Sequence, residues 1–89
     1  MLTLDKAREW LRIDGMDNDE IIMSLVAAAS DYIEITTGMS AAQQEEEPLA
    51  ETAEKSLIQL WYNAEQSESE KLQRTIDGLL KALTVKARG

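Results

Sequence analysis

Twenty residues separate Asp17 from Gly38, and none of them is proline or glycine. A run of that length closed by glycine predicts one helix reaching Thr37, because Gly38 accepts the left-handed geometry of a helix end without a steric penalty. Asp17 or Asn18 supplies the cap. Asp19 and Glu20 place negative charge in the first turn, where the helix dipole favours it. On a helical wheel, Ile22, Leu25, Val26, Ala29 and Ile33 form one stripe, with Ile21, Ala28, Tyr32 and Ile35 beside it. Together they span about half the circumference, broader than the arc of about 100° that one core contact requires. Two readings follow: a central helix packed by neighbours on two sides, or a helix whose extra flank meets another subunit.

The rest of the chain also reads at helical period. Thr3 is a cap for a short helix with Leu4, Ala7 and Leu11 on its apolar face and Trp10 at the edge, stopped by Asp14-Gly15. Residues 39–47 lack periodicity, and Glu45, Glu46 and Glu47 before Pro48 predict a solvated loop, with the proline opening the next helix. That helix is expected from Leu49 to Glu65, its stripe being Ala50, Ala53, Leu57, Leu60, Trp61 and Ala64. Trp61 reads as core filler. Ile58 and Tyr62 lie about 100° away on the wheel. They are therefore expected outside that core, in a secondary packing contact or an exposed interface patch. After a polar link from Ser67 to Glu70, Leu72, Ile76, Leu79 and Leu83 recur at helical spacing. Gly78 costs about 1 kcal/mol relative to alanine there and predicts a bend or break. Leu83-Thr84-Val85 reads as a short extended tail. The expected architecture is all-α: one domain over residues 1–89, a small bundle of about four helices around one long central helix.

Composition removes several function classes. The chain has neither histidine nor cysteine, so disulfides, thiol nucleophiles, Cys/His zinc sites and imidazole acid–base chemistry are out. The acidic segment from Asp14 to Glu20 fails as a calcium loop, since a start at Asp14 puts Leu25 where a bidentate glutamate is needed. No phosphate-binding glycine loop and no serine elbow is present. No cofactor and no enzymatic activity is expected. The longest apolar run, Leu25 to Ala29, is far short of the roughly 20 residues of a membrane span, and Asp5, Lys6, Arg8 and Glu9 interrupt any signal-peptide core. A net charge of -8 argues against nucleic acid as the main partner. That charge is unevenly laid out. Residues 1–70 carry 16 acids and 4 bases, whereas residues 71–89 carry 5 bases and 1 acid. The basic end, with Lys81, Lys86 and Arg88, either follows the preference of cations for helix C-termini or meets an acidic surface, such as Glu45, Glu46 and Glu47 of a neighbouring copy.

Leu11-Arg12-Ile13-Asp14, then Asp17 and Asp19, Ile22 and Leu25, Ala28-Ala29, Tyr32-Ile33-Glu34 and Thr37-Gly38 form a pattern that resembles the small head–tail connector proteins of tailed bacteriophages and prophages, also called head-completion or portal adaptor proteins. Leu57 to Asn63, with Trp61-Tyr62, looks like that family's later helix, and Thr75 to Leu83 like its C-terminal segment. The pattern consists of helix caps and core positions, so it speaks to fold first and to function by analogy. The resemblance implies a structural virion protein. Copies would form a ring at the portal vertex, join head to tail and help retain packaged DNA. The implied partners are the chain itself, a portal protein and a tail-completion protein, first in the host bacterial cytoplasm and then in the virion. The competing reading is a small acidic regulatory protein that mimics DNA, which requires its acids on one continuous face.

Overall fold

The computed structural model describes residues 2–62 and 66–88. Five helices follow one another: α1 (Leu4–Leu11), α2 (Asp19–Thr37), α3 (Ala41–Glu45), α4 (Pro48–Tyr62) and α5 (Gln66–Arg88). The described residues contain no strand. The molecule measures 40 × 29 × 18 Å, and its short axis admits only two helix layers at the usual spacing of about 8–10 Å between axes. Every long helix therefore keeps a face toward solvent.

The caps follow local chemistry. Thr3 Oγ1 accepts the Lys6 N–H at 3.2 Å and starts α1. Gly38, at φ 82°, ends α2 as expected. The end of α1 differs from expectation. It comes at Arg12, which takes the left-handed conformation at φ 58°, three residues before Gly15. The N–H of Arg12 bonds to the Glu9 carbonyl and that of Ile13 to the Arg8 carbonyl, the paired closure of a Schellman motif. Half-buried Ile13 then packs back onto the core.

Residues 39–47 are not all loop: a short helix occupies 41–45, while Glu46 and Glu47 form the expected link before Pro48. Ser40 and Gln43 form a reciprocal capping box that starts α3. Gln44, which is buried, donates to the carbonyls of Ser30 and Met39 at 3.1 and 3.0 Å and accepts from Ser30 Oγ at 3.0 Å. These three bonds fasten α3 to α2.

α4 packs against each of the other four helices. Ala50 and Ala53 allow close approach, and Leu57 and Ile58 fill the centre beside them. The burial of Ile58 corrects the expectation from the wheel. A helix surrounded this fully buries a wider arc than one stripe, so a residue about 100° off the stripe is still inside. Trp61 is corrected in the opposite direction: at 39% exposure it sits near the end of α4, at the edge of the core. Ala64 and the expected helix end at Glu65 lie outside the described residues.

α5 runs unbroken through Gly78, and residues 68–70 and 83–85 belong to it, so neither a polar link nor an extended tail forms there. Gly78 is on the exposed side. Ile76 and Leu83 are fully buried on the inner one. Burying side chains of that size yields about 1.5–3 kcal/mol each, which outweighs the roughly 1 kcal/mol that glycine costs a helix.

Candidate functional site

The exposed apolar surface lies on the flank of α2. Ile22, Val26, Ala29 and Ile33 are completely buried, but Ile21, Ala28, Tyr32 and Ile35 are exposed and Leu25 is half-buried. Of the two readings of the broad apolar arc, the protomer thus leaves the second flank uncovered. Ile35 is the most open of these residues, at 83%. Trp61 of α4 extends the surface, its ring meeting Tyr32 edge-on with centroids 5.8 Å apart. At the other end, an open groove of about 730 Å³ runs along the first two turns of α2, lined by Ile21, Met23 and Leu25 with Asp19, Glu20 and Ser24.

An ion pair and a hydrogen bond hold the start of that helix in place. Arg8 reaches both carboxylate oxygens of Asp19, with Nε donating to Oδ1 at 2.9 Å. The pair ties α1 to the first turn of α2, where a carboxylate also suits the helix dipole. The hydrogen bond from Arg8 holds the Asp19 carboxyl below the usual aspartate range, and the same bond raises the Arg8 guanidinium. Asn18 makes no side-chain cap bond. Its Nδ2 donates instead to Tyr62 Oη at 2.7 Å, joining the turn before α2 to the end of α4.

The expected interface residues fall into different places. Ile58 is enclosed, so it presents nothing to a neighbour, and Tyr62 is half-buried with its hydroxyl engaged by Asn18. Lys86 Nζ donates to both oxygens of Glu47 of the same chain, at 3.1 and 3.0 Å. The complementarity between the basic end and the acidic triplet is real, and within the protomer it closes on itself at this pair. Lys86 is the main reason the Glu47 carboxyl lies below its ordinary value, helped by the Leu49 N–H. Glu45 and Glu46 remain exposed, as do Lys81 and Arg88.

Two polar residues escaped the sequence reading. The Ser40/Gln43 spacing of a capping box signals the start of α3, but nothing local marks the next residue, Gln44, as buried. Glu54 lies between Ala53 and Leu57 on an apolar face and is 1% exposed. It accepts the Leu2 N–H at 2.9 Å. Burial raises its carboxyl above the usual glutamate range, opposed by that bond and reinforced by Glu51 and Glu45 nearby. Beside it, Lys6 pairs with Glu51 at 3.2 Å.

Among the described residues no three acidic side chains converge as metal ligands, and no helix is long and apolar enough to cross a membrane. What the surface offers is an apolar helix flank, an aromatic pair and segregated charge, which suit contact with other macromolecules. No curated protein and no solved structure matches the chain. The family model of the phage gp6-like head-tail connector protein matches residues 1–86, from before α1 almost to the end of α5. The match includes the second half of the chain, where the residue pattern is least distinctive, and with it the chain belongs to the phage gp6-like head-tail connector family of structural virion proteins.

Proposed function

We propose that this chain is a ring-forming subunit at the portal vertex of a tailed phage, where it joins head to tail and helps retain packaged DNA. The observation that carries the reading is the family match over residues 1–86. Its partners on this reading are further copies of itself, the portal protein above and a tail-completion protein below, met in the host cytoplasm before the ring enters the virion. The exposed flank of α2 supports it, since a ring subunit needs apolar surface left over once its own core is closed.

Four of the 17 acids are withdrawn from any DNA-mimicking array. Asp19 is engaged by Arg8, Glu47 by Lys86 and Glu51 by Lys6, while Glu54 is buried. A phosphate-like array needs them unpaired and on one face. The test is genetic and visual. Phage lacking this protein should accumulate separate heads and tails by electron microscopy, and supplying the protein in trans should restore joined particles. Normal joining without it would refute the proposal.

A further inference from the structure

Two surface stripes share one spacing, with every member exposed except half-buried Leu25. On α2, Ile21, Leu25, Ala28, Tyr32 and Ile35 follow intervals of four, three, four and three residues. On the outer face of α5, Arg74, Gly78, Lys81, Val85 and Arg88 follow the same intervals, and all five are exposed. Each stripe covers fourteen residue steps, about 21 Å at 1.5 Å per residue. This is the interval of helices that pack along a seam. Both stripes are open in the same protomer, so neither covers the other.

Their chemistry is complementary. α2 carries four acids and no base, and Glu20, Asp31 and Glu34 border its apolar stripe on one side. Arg74, Lys81 and Arg88 make no hydrogen bond or ion pair among the described residues. Two α2 helices side by side would set acid against acid. An α2 stripe laid on the α5 stripe sets those acids beside unpaired cations instead, with arginine and lysine stems covering the apolar residues. Gly78, where an added Cβ would meet nothing within 4 Å, leaves the α5 stripe low just before its midpoint at Lys81. The Tyr32–Trp61 pair gives a guanidinium a π-face at the rim.

We infer that the α2 stripe of one copy docks on the outer α5 stripe of the next. The contact uses two different surfaces, so it gives each subunit one direction of attachment, and repeated around an axis it makes a ring wherever its rotation closes. The inference rests on the ring reading and names the surfaces that make the ring.

The chain has no cysteine, which makes cross-linking a clean test. Ala28 and Lys81 are the midpoints of the two stripes and meet whether the helices run parallel or antiparallel. An Ala28→Cys chain and a Lys81→Cys chain, one with an added tag, are mixed under a mild oxidant while solution mass is followed. The mixed 28–81 product should dominate both self-linked products. Separately, Lys81→Glu should weaken association about tenfold with helicity unchanged, and adding Asp31→Lys should recover part of it. Dominant 28–28 product would mean that α2 faces α2 and would overturn the inference. Absence of the mixed product in a multi-subunit assembly, or a Lys81→Glu chain that associates normally, would overturn it while leaving the ring intact. A parent chain that stays monomeric at every concentration would remove both.

Discussion

Glu54 and Ile58 sit one helical turn apart in α4, and both are enclosed, yet their substitution should have different consequences. The Glu54 carboxyl is raised above 4.5 by burial, so the folded state holds its proton more tightly than the unfolded one. Its contribution to stability is fully present below 4.5 and is lost as pH rises through the raised folded value. Asp19 and Glu47 are lowered from 3.8 and 4.5, and their contributions run the other way, present above those values and lost as pH falls. Urea midpoints should therefore rise as pH is lowered from neutral toward about 4.5 and fall below that. Glu54→Gln should abolish the rise and keep the acid-side fall. A rise that survives in Glu54→Gln would assign it to other groups. Ile58→Glu, by contrast, puts an unpaired charge into the centre of the protein. That costs several kcal/mol against a total of about 5–15, so circular dichroism should report loss of helicity at room temperature. A folded Ile58→Glu monomer would mean that α4 can rotate this side chain outward.

At the scale of elements, the helix ends written in side-chain chemistry were legible in advance: the Thr3 cap, the Gly38 stop and the proline that opens α4. So was the buried stripe of α2, with its second flank left as two alternatives. What was not legible depended on tertiary context. Arg12 takes a left-handed conformation because Ile13 is drawn onto the core, a pull no local residue announces. α5 continues through Gly78 because the leucines and isoleucine on either side are anchored in α2 and α4. The wheel sets Ile58 apart from the stripe, in a secondary contact or a patch, because it assumes one packed face, whereas α4 has neighbours on several. The proposed interface is legible in the sequence only as spacing, and of the residues expected in it Ile58 is enclosed and Lys86 pairs with Glu47 in the same chain. Two substitutions follow from these backbone positions. Arg12→Gly should stabilise by about 1 kcal/mol, since glycine meets no penalty at positive φ. Gly78→Ala should stabilise by about 0.5–1 kcal/mol, because the helix is regular there and the space is open. Thermal melts of the two single variants and the double should show additive gains, as the sites lie on separate helices. A loss at Gly78→Ala would indicate that the glycine is needed for a bend in α5.

The whole molecule carries a net charge of -8, and that sets two electrostatic effects against each other when copies meet. Every copy repels every other through its overall charge. The unpaired cations of the α5 face and the acids of α2 attract at short range. Salt screens both, but over different distances. With dimensions of 40 × 29 × 18 Å, two copies in contact would have their centres roughly 20–30 Å apart, which lies between the Debye lengths of about 30 Å at 0.01 M and 10 Å at 0.1 M. Raising salt over that interval removes mainly the overall repulsion, so association should strengthen. Between 0.1 M and 1 M the Debye length drops from about 10 Å to 3 Å, a range that reaches only close pairs, and association should weaken. Exposed pairs contribute about 0–1 kcal/mol each, so the weakening should be modest and the apolar stripe of α2 should keep part of the contact at 1 M. Sedimentation of the parent chain across this range should therefore pass through a maximum near 0.1 M. Reversing Arg74 and Lys81 to glutamate should erase the descending limb and keep the ascending one. If association falls steadily from the lowest salt, local pairing outweighs the net charge at every distance. If it rises throughout, the contact between copies is apolar and takes no direction from the charged faces.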